Sequence, residues 1–116
     1  MGYGFFSFFR PKQGVGQRTH VHQYSNKTSF DVGHIHRMRA VTGPTIRRGS
    51  THVHRLKGET TFDAGHIHRY QSFTGPAIPT KPGFHVHRYQ GTVRRAGDPL
   101  HVHRFTGTAA PARDDV

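Results

Sequence analysis

The chain has 116 residues, 17 of them Lys or Arg against six Asp or Glu, with twelve His and no Cys, for a formal charge of +11 at neutral pH. Without cysteine neither a disulfide framework nor a thiolate metal site is available, and no apolar run approaches the roughly 18 residues that a membrane helix needs. Leu, Ile, Val and Phe number only 24 of 116, near the roughly 20% level where highly charged chains drift toward disorder.

An ordinary core would therefore be thin, and metal, neighbouring copies or both must help hold the fold. Residues 1–18 open the chain with Tyr3, Phe5, Phe6, Phe8 and Phe9. Residues 3–9 form a short, uncharged and aromatic stretch that would pair with a sheet edge, and this assembly arm is expected to dock on a neighbouring subunit, the alternative being that it caps the chain's own sheet. It lacks the basic stretch and cleavage site of a signal peptide. A cytoplasmic location is the default expectation, with an extracellular or cell-surface fibre as the alternative.

From residue 19 onward every histidine belongs to an H-x-H pair: His20/His22, His34/His36, His52/His54, His66/His68, His85/His87 and His101/His103. Pair starts are spaced 14, 18, 14, 19 and 16 residues apart, an alternation that defines three units, 19–50, 51–83 and a diverged 84–116. A period of this size marks a solenoid, propeller or linear array whose units bury their apolar sides against neighbours. The third unit reads as a terminal cap.

Within each unit the pattern argues for strands. His52, His54 and Leu56 alternate with Val53 and Arg55, so two imidazoles and one apolar residue share a face; the same split puts Tyr70 after His66/His68 and Tyr89 after His85/His87. Phe30 and Phe62 are expected as inward anchors. Thr42-Gly43-Pro44 and Thr74-Gly75-Pro76 carry turn chemistry. The expected fold is all-β, a short-strand repeat array with two H-x-H strands per unit.

Imidazole suits Zn, Cu, Ni and Fe. Two histidines at i and i+2 on a strand, with Cα atoms about 6.6 Å apart, can reach one ion, and two such strands supply four nitrogens. The natural grouping is by unit: His20, His22, His34 and His36; His52, His54, His66 and His68; His85, His87, His101 and His103. That gives about three divalent ions (Zn, Cu or Ni) per chain, although grouping across unit boundaries stays open. Asp31, Asp63 and Asp98, each three residues before a pair, are candidates to orient a ligand by accepting a hydrogen bond from its far nitrogen; the alternative is a turn before the strand. Arg37, Arg55, Arg69, Arg88 and Arg104 follow their pairs and would form a ladder on the opposite face, available to a polyanion or simply solvated.

Enzyme motifs fail on detail. His52-Val53-His54 with Glu59 has the outline of a cupin's first metal motif, but the other pairs lack the Glu, and a histidine triad would need a third alternate His. A repeated site without a distinctive acid, base or nucleophile reads as binding, not turnover.

The recurring GHIHR, THVHR, F-D-x-G-H-x-H and T-G-P segments, over about residues 19–108, resemble the YmaF family of small bacterial proteins with repeated H-x-H segments. The resemblance implies the repeat, a bacterial source and a role for the twelve histidines, and brings no activity with it. The leading expectation is a non-enzymatic metal-binding protein whose ions support fold or assembly. A self-assembling fibre subunit with histidine and arginine ladders comes second, and a polyanion-binding protein third.

Overall fold

A computed structural model describes residues 19–114; the aromatic segment with Tyr3, Phe5, Phe6, Phe8 and Phe9 lies outside the described residues. Among these residues there are eleven strands and no helix: β1 (Gln23–Lys27), β2 (Arg37–Val41), β3 (Ile46–Arg48), β4 (Thr51–Val53), β5 (Arg55–Glu59), β6 (Arg69–Phe73), β7 (Ile78–Pro79), β8 (Phe84–Val86), β9 (Arg88–Thr92), β10 (Arg104–Thr108) and β11 (Ala112–Arg113). The protein is all-β. Each unit contributes one antiparallel hairpin of two five-residue strands, β1 with β2, β5 with β6 and β9 with β10.

Every hairpin strand begins at the residue after an H-x-H pair, and its second residue points inward. Tyr24, Met38, Leu56, Tyr70, Tyr89 and Phe105 are all buried and pack into one cluster. The period-2 alternation thus carries through from the histidines into the strand, as the sequence pattern requires. Only His52 and His85 lie within strands, β4 and β8; the other histidines sit in extended segments or single bridges just ahead of β1, β2, β5, β6, β9 and β10.

The three hairpins do not form an open line. Thr61 N–H donates to Arg37 C=O, Arg94 N–H to Arg69 C=O and Ser29 N–H to Arg104 C=O, linking unit two to one, three to two and one to three. A second cycle of donors runs the opposite way round: Gly43 to Arg55, Gly75 to Arg88 and Ala110 to Gln23. The units close into a pseudo-threefold ring, so the diverged third copy is the segment that joins second to first, not a cap. Closure satisfies each unit's flanks within one chain.

Because each hairpin is antiparallel, the first H-x-H pair of a unit lies at one end of the ring and the second pair at the other, separated by a strand about 17 Å long. The apolar cluster fills the middle. Short ladders close the first-pair end, β3 with β4 and β7 with β8 and β11.

Two expectations fail in the turns before the second pairs. Phe30 and Phe62 are each 71% exposed. The buried positions here belong to Thr28 and Thr60, and the Ser29 and Thr61 carbonyls turn toward histidines of the adjoining unit. The chain then reverses at the Asp31–His34 and Asp63–His66 bridges and leaves the phenyl rings outside. Asp98 does not occupy the position of Asp31 and Asp63. The equivalent bridges are Asp31 with His34, Asp63 with His66 and Ala96 with His101, so the third turn is two residues longer and Ala96 stands where the carboxylate would be.

In the first two turns Val32 (φ 52°) and Ala64 (φ 53°) precede Gly33 (φ 80°) and Gly65 (φ 84°), the left-handed pair of a two-residue type I′ hairpin turn. A β-branched side chain is strained there. Val32→Asn, which creates the favoured Asn-Gly turn, is expected to raise stability by about 1 kcal/mol. Urea unfolding of the metal-free protein checks it, and a loss of stability would refute the strain argument.

Candidate metal centres

Ring closure gathers like pairs from all three units. His20, His22, His52, His54, His85 and His87 meet at one end, and His34, His36, His66, His68, His101 and His103 at the other, with the ligand atoms of each group within 4.8 Å of one another. The twelve histidines singled out from the sequence are all used, but as two groups of six in place of three groups of four. The reason is geometric: the two pairs of one unit stand at opposite ends of its hairpin and cannot share an ion.

Each group has octahedral form. At the first-pair end an outer triangle of His20, His52 and His85 faces an inner triangle of His22, His54 and His87. Each ring stands edge-to-face with four others at centroid distances of 4.6 to 5.1 Å. That leaves three opposed pairs: His20 and His87, His22 and His52, His54 and His85. The second end repeats this with His34, His66 and His101 outside and His36, His68 and His103 inside, opposed as His34 with His68, His36 with His101 and His66 with His103.

Nε2 is the atom that converges. Neighbouring Nε2 atoms lie 2.9 Å apart for His20 and His85, 3.1 Å for His87 and His52, 3.1 Å for His66 and His68, and 3.3 Å for His103 and His34. For the edges of an octahedron such spacings place a central ion roughly 2.1 to 2.3 Å from each nitrogen, bond lengths suited to a first-row divalent ion.

The opposite ring nitrogens are held from outside. Among the inner rings, His22 Nδ1 donates to Ala110 C=O (2.7 Å), His54 to Gly43 C=O (3.0 Å) and His87 to Gly75 C=O (2.9 Å). At the other end His36 donates to Thr61 C=O (2.9 Å), His68 to Arg94 C=O (2.7 Å) and His103 to Ser29 C=O (3.0 Å). Every one of these bonds crosses between units. The outer rings of the second end use their own turns, His34 to Val32 C=O, His66 to Ala64 C=O and His101 to Pro99 C=O. A carbonyl can only accept, so these bonds put the proton on Nδ1 and leave the Nε2 lone pair free to ligate.

Two of the three carboxylates singled out from the sequence lie beside histidines of the second cluster. Asp63 Oδ2 lies 3.5 Å from His36 Nδ1, and Asp31 Oδ2 3.3 Å from His103 Nδ1, each beside the carbonyl that is the nearer acceptor. Asp31 is held below the usual carboxylate range by the Ser29 hydroxyl first and by His103 after it. Asp98 has no histidine partner among the described residues. One carboxylate was missed: Asp114 accepts a 2.7 Å bond from His85 Nδ1.

Four threonines were missed as well. Thr28, Thr42, Thr60 and Thr74 are buried, and their hydroxyls accept from the backbone N–H of the inner histidines His36, His22, His68 and His54 at 3.0 to 3.1 Å. The signal was there: a Thr precedes Gly43-Pro44 and Gly75-Pro76, and another stands three residues before Asp31 and Asp63. The recurring Thr-Gly-Pro is thus more than a linker, because its Thr fixes one unit's histidine backbone while its Gly carbonyl orients the next unit's ring. The five arginines are exposed as expected, but they lie around the circumference of a ring and not along one flat ladder; Arg69 pairs with Glu59 at 3.1 Å.

Burial, reinforced by the neighbouring imidazoles, lowers the pKa values of His52, His54, His68 and His87 to about 4 and also lowers that of His36. Unfolded histidines take up protons near pH 6.5. These groups therefore contribute stability that is present above pH 6.5 and lost as the pH falls toward 4. The melting temperature of the metal-free protein is expected to fall steadily between pH 7 and 4.5; a flat profile over that window would contradict the burial of neutral rings.

The structure thus defines a class: a closed all-β repeat protein with two all-imidazole clusters capable of holding metal. Residues 17–110 match the YmaF family, described as spore germination protein GerY/YamF, and the chain belongs to that family. No curated protein matches the chain, and no solved structure does.

Proposed function

We propose that the protein binds two divalent first-row transition-metal ions per chain, one in each six-histidine cluster, and that these ions lock the ring. The observation that carries this reading is the convergence of six Nε2 atoms at octahedral spacing while most of the Nδ1 atoms are engaged by acceptors outside the cluster. Neutral imidazoles crowded lone pair to lone pair gain little from one another, and a cation at the centre satisfies all six.

The geometry narrows the ion. Zn favours four ligands in structural sites and Cu(II) a tetragonal field; six equivalent nitrogens suit Ni(II), Fe(II) or Co(II) better. Of the ions expected from the pairs alone, Ni fits best. Six nitrogens leave no coordination position for a substrate, which supports binding without turnover. The family description offers spore germination as the setting in which such binding would be used.

Protein prepared without a His-tag or nickel column should carry about two ions per chain by elemental analysis, with X-ray absorption reporting six nitrogen neighbours. Four-coordinate spectra, or well under one ion per chain after growth with added metal, would end the proposal. A second reading, polyanion binding, is favoured by the exposed arginines and the charge of +11, which two divalent ions would raise further. Heparin retention that falls steeply with log salt would support it.

A further inference from the structure

We infer that the two centres are unequal: the second-pair centre fills first, and Asp114 is the positioning residue that completes the other. This rests on the metal reading above and concerns what distinguishes the sites.

At the second-pair end all six rings have a backbone carbonyl on Nδ1, and the three outer rings are held by turns only two residues away. That centre is complete without help from the end of the chain. The first-pair end is built differently. Its inner rings are carbonyl-bound, but among its outer rings His52 has no Nδ1 acceptor among the described residues and faces Arg47 across β3 and β4. His85 is anchored by a side chain, Asp114 Oδ1 at 2.7 Å.

That carboxylate arrives on a separate piece of chain. The β11 strand adds to the edge of β8, pairing Ala112 with His85 and Arg113 with Phe84, and Asp114 N–H donates to Gly83 C=O at 2.8 Å. His85 is 3% exposed, the most buried of the six outer rings. Docking of β11 therefore fixes the orientation and tautomer of one candidate ligand, places a carboxylate beside it and helps to bury its ring. Loss of such a partner to a ligating histidine typically weakens metal binding by about 10- to 100-fold.

Titration of the full chain with Ni(II), followed calorimetrically against a competing chelator, should resolve one tight and one weaker site. Replacing His34 and His66 by Ala should remove the tight one; replacing His20 and His52 should remove the weaker. Asp114→Ala should weaken only the weaker site, by about tenfold or more, and speed release of one ion of the two. Asp114→Asn keeps an acceptor without the charge and should fall between, while Asp114→Glu should restore part of the loss, a rescue that mere unpacking of β11 would not give. Two indistinguishable sites, or an Asp114→Ala effect shared by both or absent from both, overturns the inference. No Ni(II) uptake at all overturns the metal reading itself and this inference with it.

Discussion

Stripping the ions from loaded protein with a chelator at pH 7.5 is expected to lower the melting temperature by well over 15 °C. A ligand that binds only the native state at about a thousandfold over its Kd contributes about 4 kcal/mol. Two such sites in a domain this small, where about 1 kcal/mol moves the midpoint by some 4 to 8 °C, make a shift of tens of degrees. The apolar contribution cannot substitute. The central cluster is essentially one residue per strand, and six of the most fully buried side chains are histidines: His22, His36, His54, His68, His87 and His103. Circular dichroism melts with and without excess Ni(II) check this, and coincident curves would show that the rings pack without an ion.

The second large effect concerns a single inner ring. His54→Ala is expected to reduce uptake from two ions to one per chain and to cost about 3 kcal/mol in the metal-free protein. His54 is fully buried. Its Nδ1 bond to Gly43 C=O ties unit two to unit one, and its backbone N–H is held by Thr74. Removal leaves a cavity and an unpaired buried carbonyl, each worth roughly 1 to 3 kcal/mol. His68→Ala is the mirror experiment, emptying the other centre and freeing the Arg94 carbonyl. Elemental analysis of both variants beside their melts decides the matter. Two ions retained by either variant would mean that the clusters are not six-coordinate.

Much of the site was readable in the residues. Six H-x-H pairs with no unpaired histidine, each followed two positions on by Tyr, Met, Leu or Phe, state that two imidazoles and one apolar side chain face inward from extended backbone. Local alternation is a property of the chain itself, and it survived in every unit. The turns were less legible. Phe30 and Phe62 look like core residues by composition, yet the buried positions belong to Thr28 and Thr60, and the carbonyls of Ser29 and Thr61 serve rings of another unit. Asp98 looked equivalent to Asp31 and Asp63 by its spacing to the next pair, and the longer third turn moved it out of register.

What the sequence by itself determined was the set of candidate ligands, the repeat and the all-β backbone, because these depend on alternation and spacing along a few residues. Only the tertiary structure decided how the ligands combine. An antiparallel hairpin holds the two pairs of one unit a strand's length apart, and the closing bonds between Ser29 and Arg104 and between Ala110 and Gln23 bring like pairs of all three units together. Those bonds join residues some 75 to 87 positions apart in the chain. No local pattern encodes which of them form, and they make the difference between three sites of four nitrogens and two sites of six.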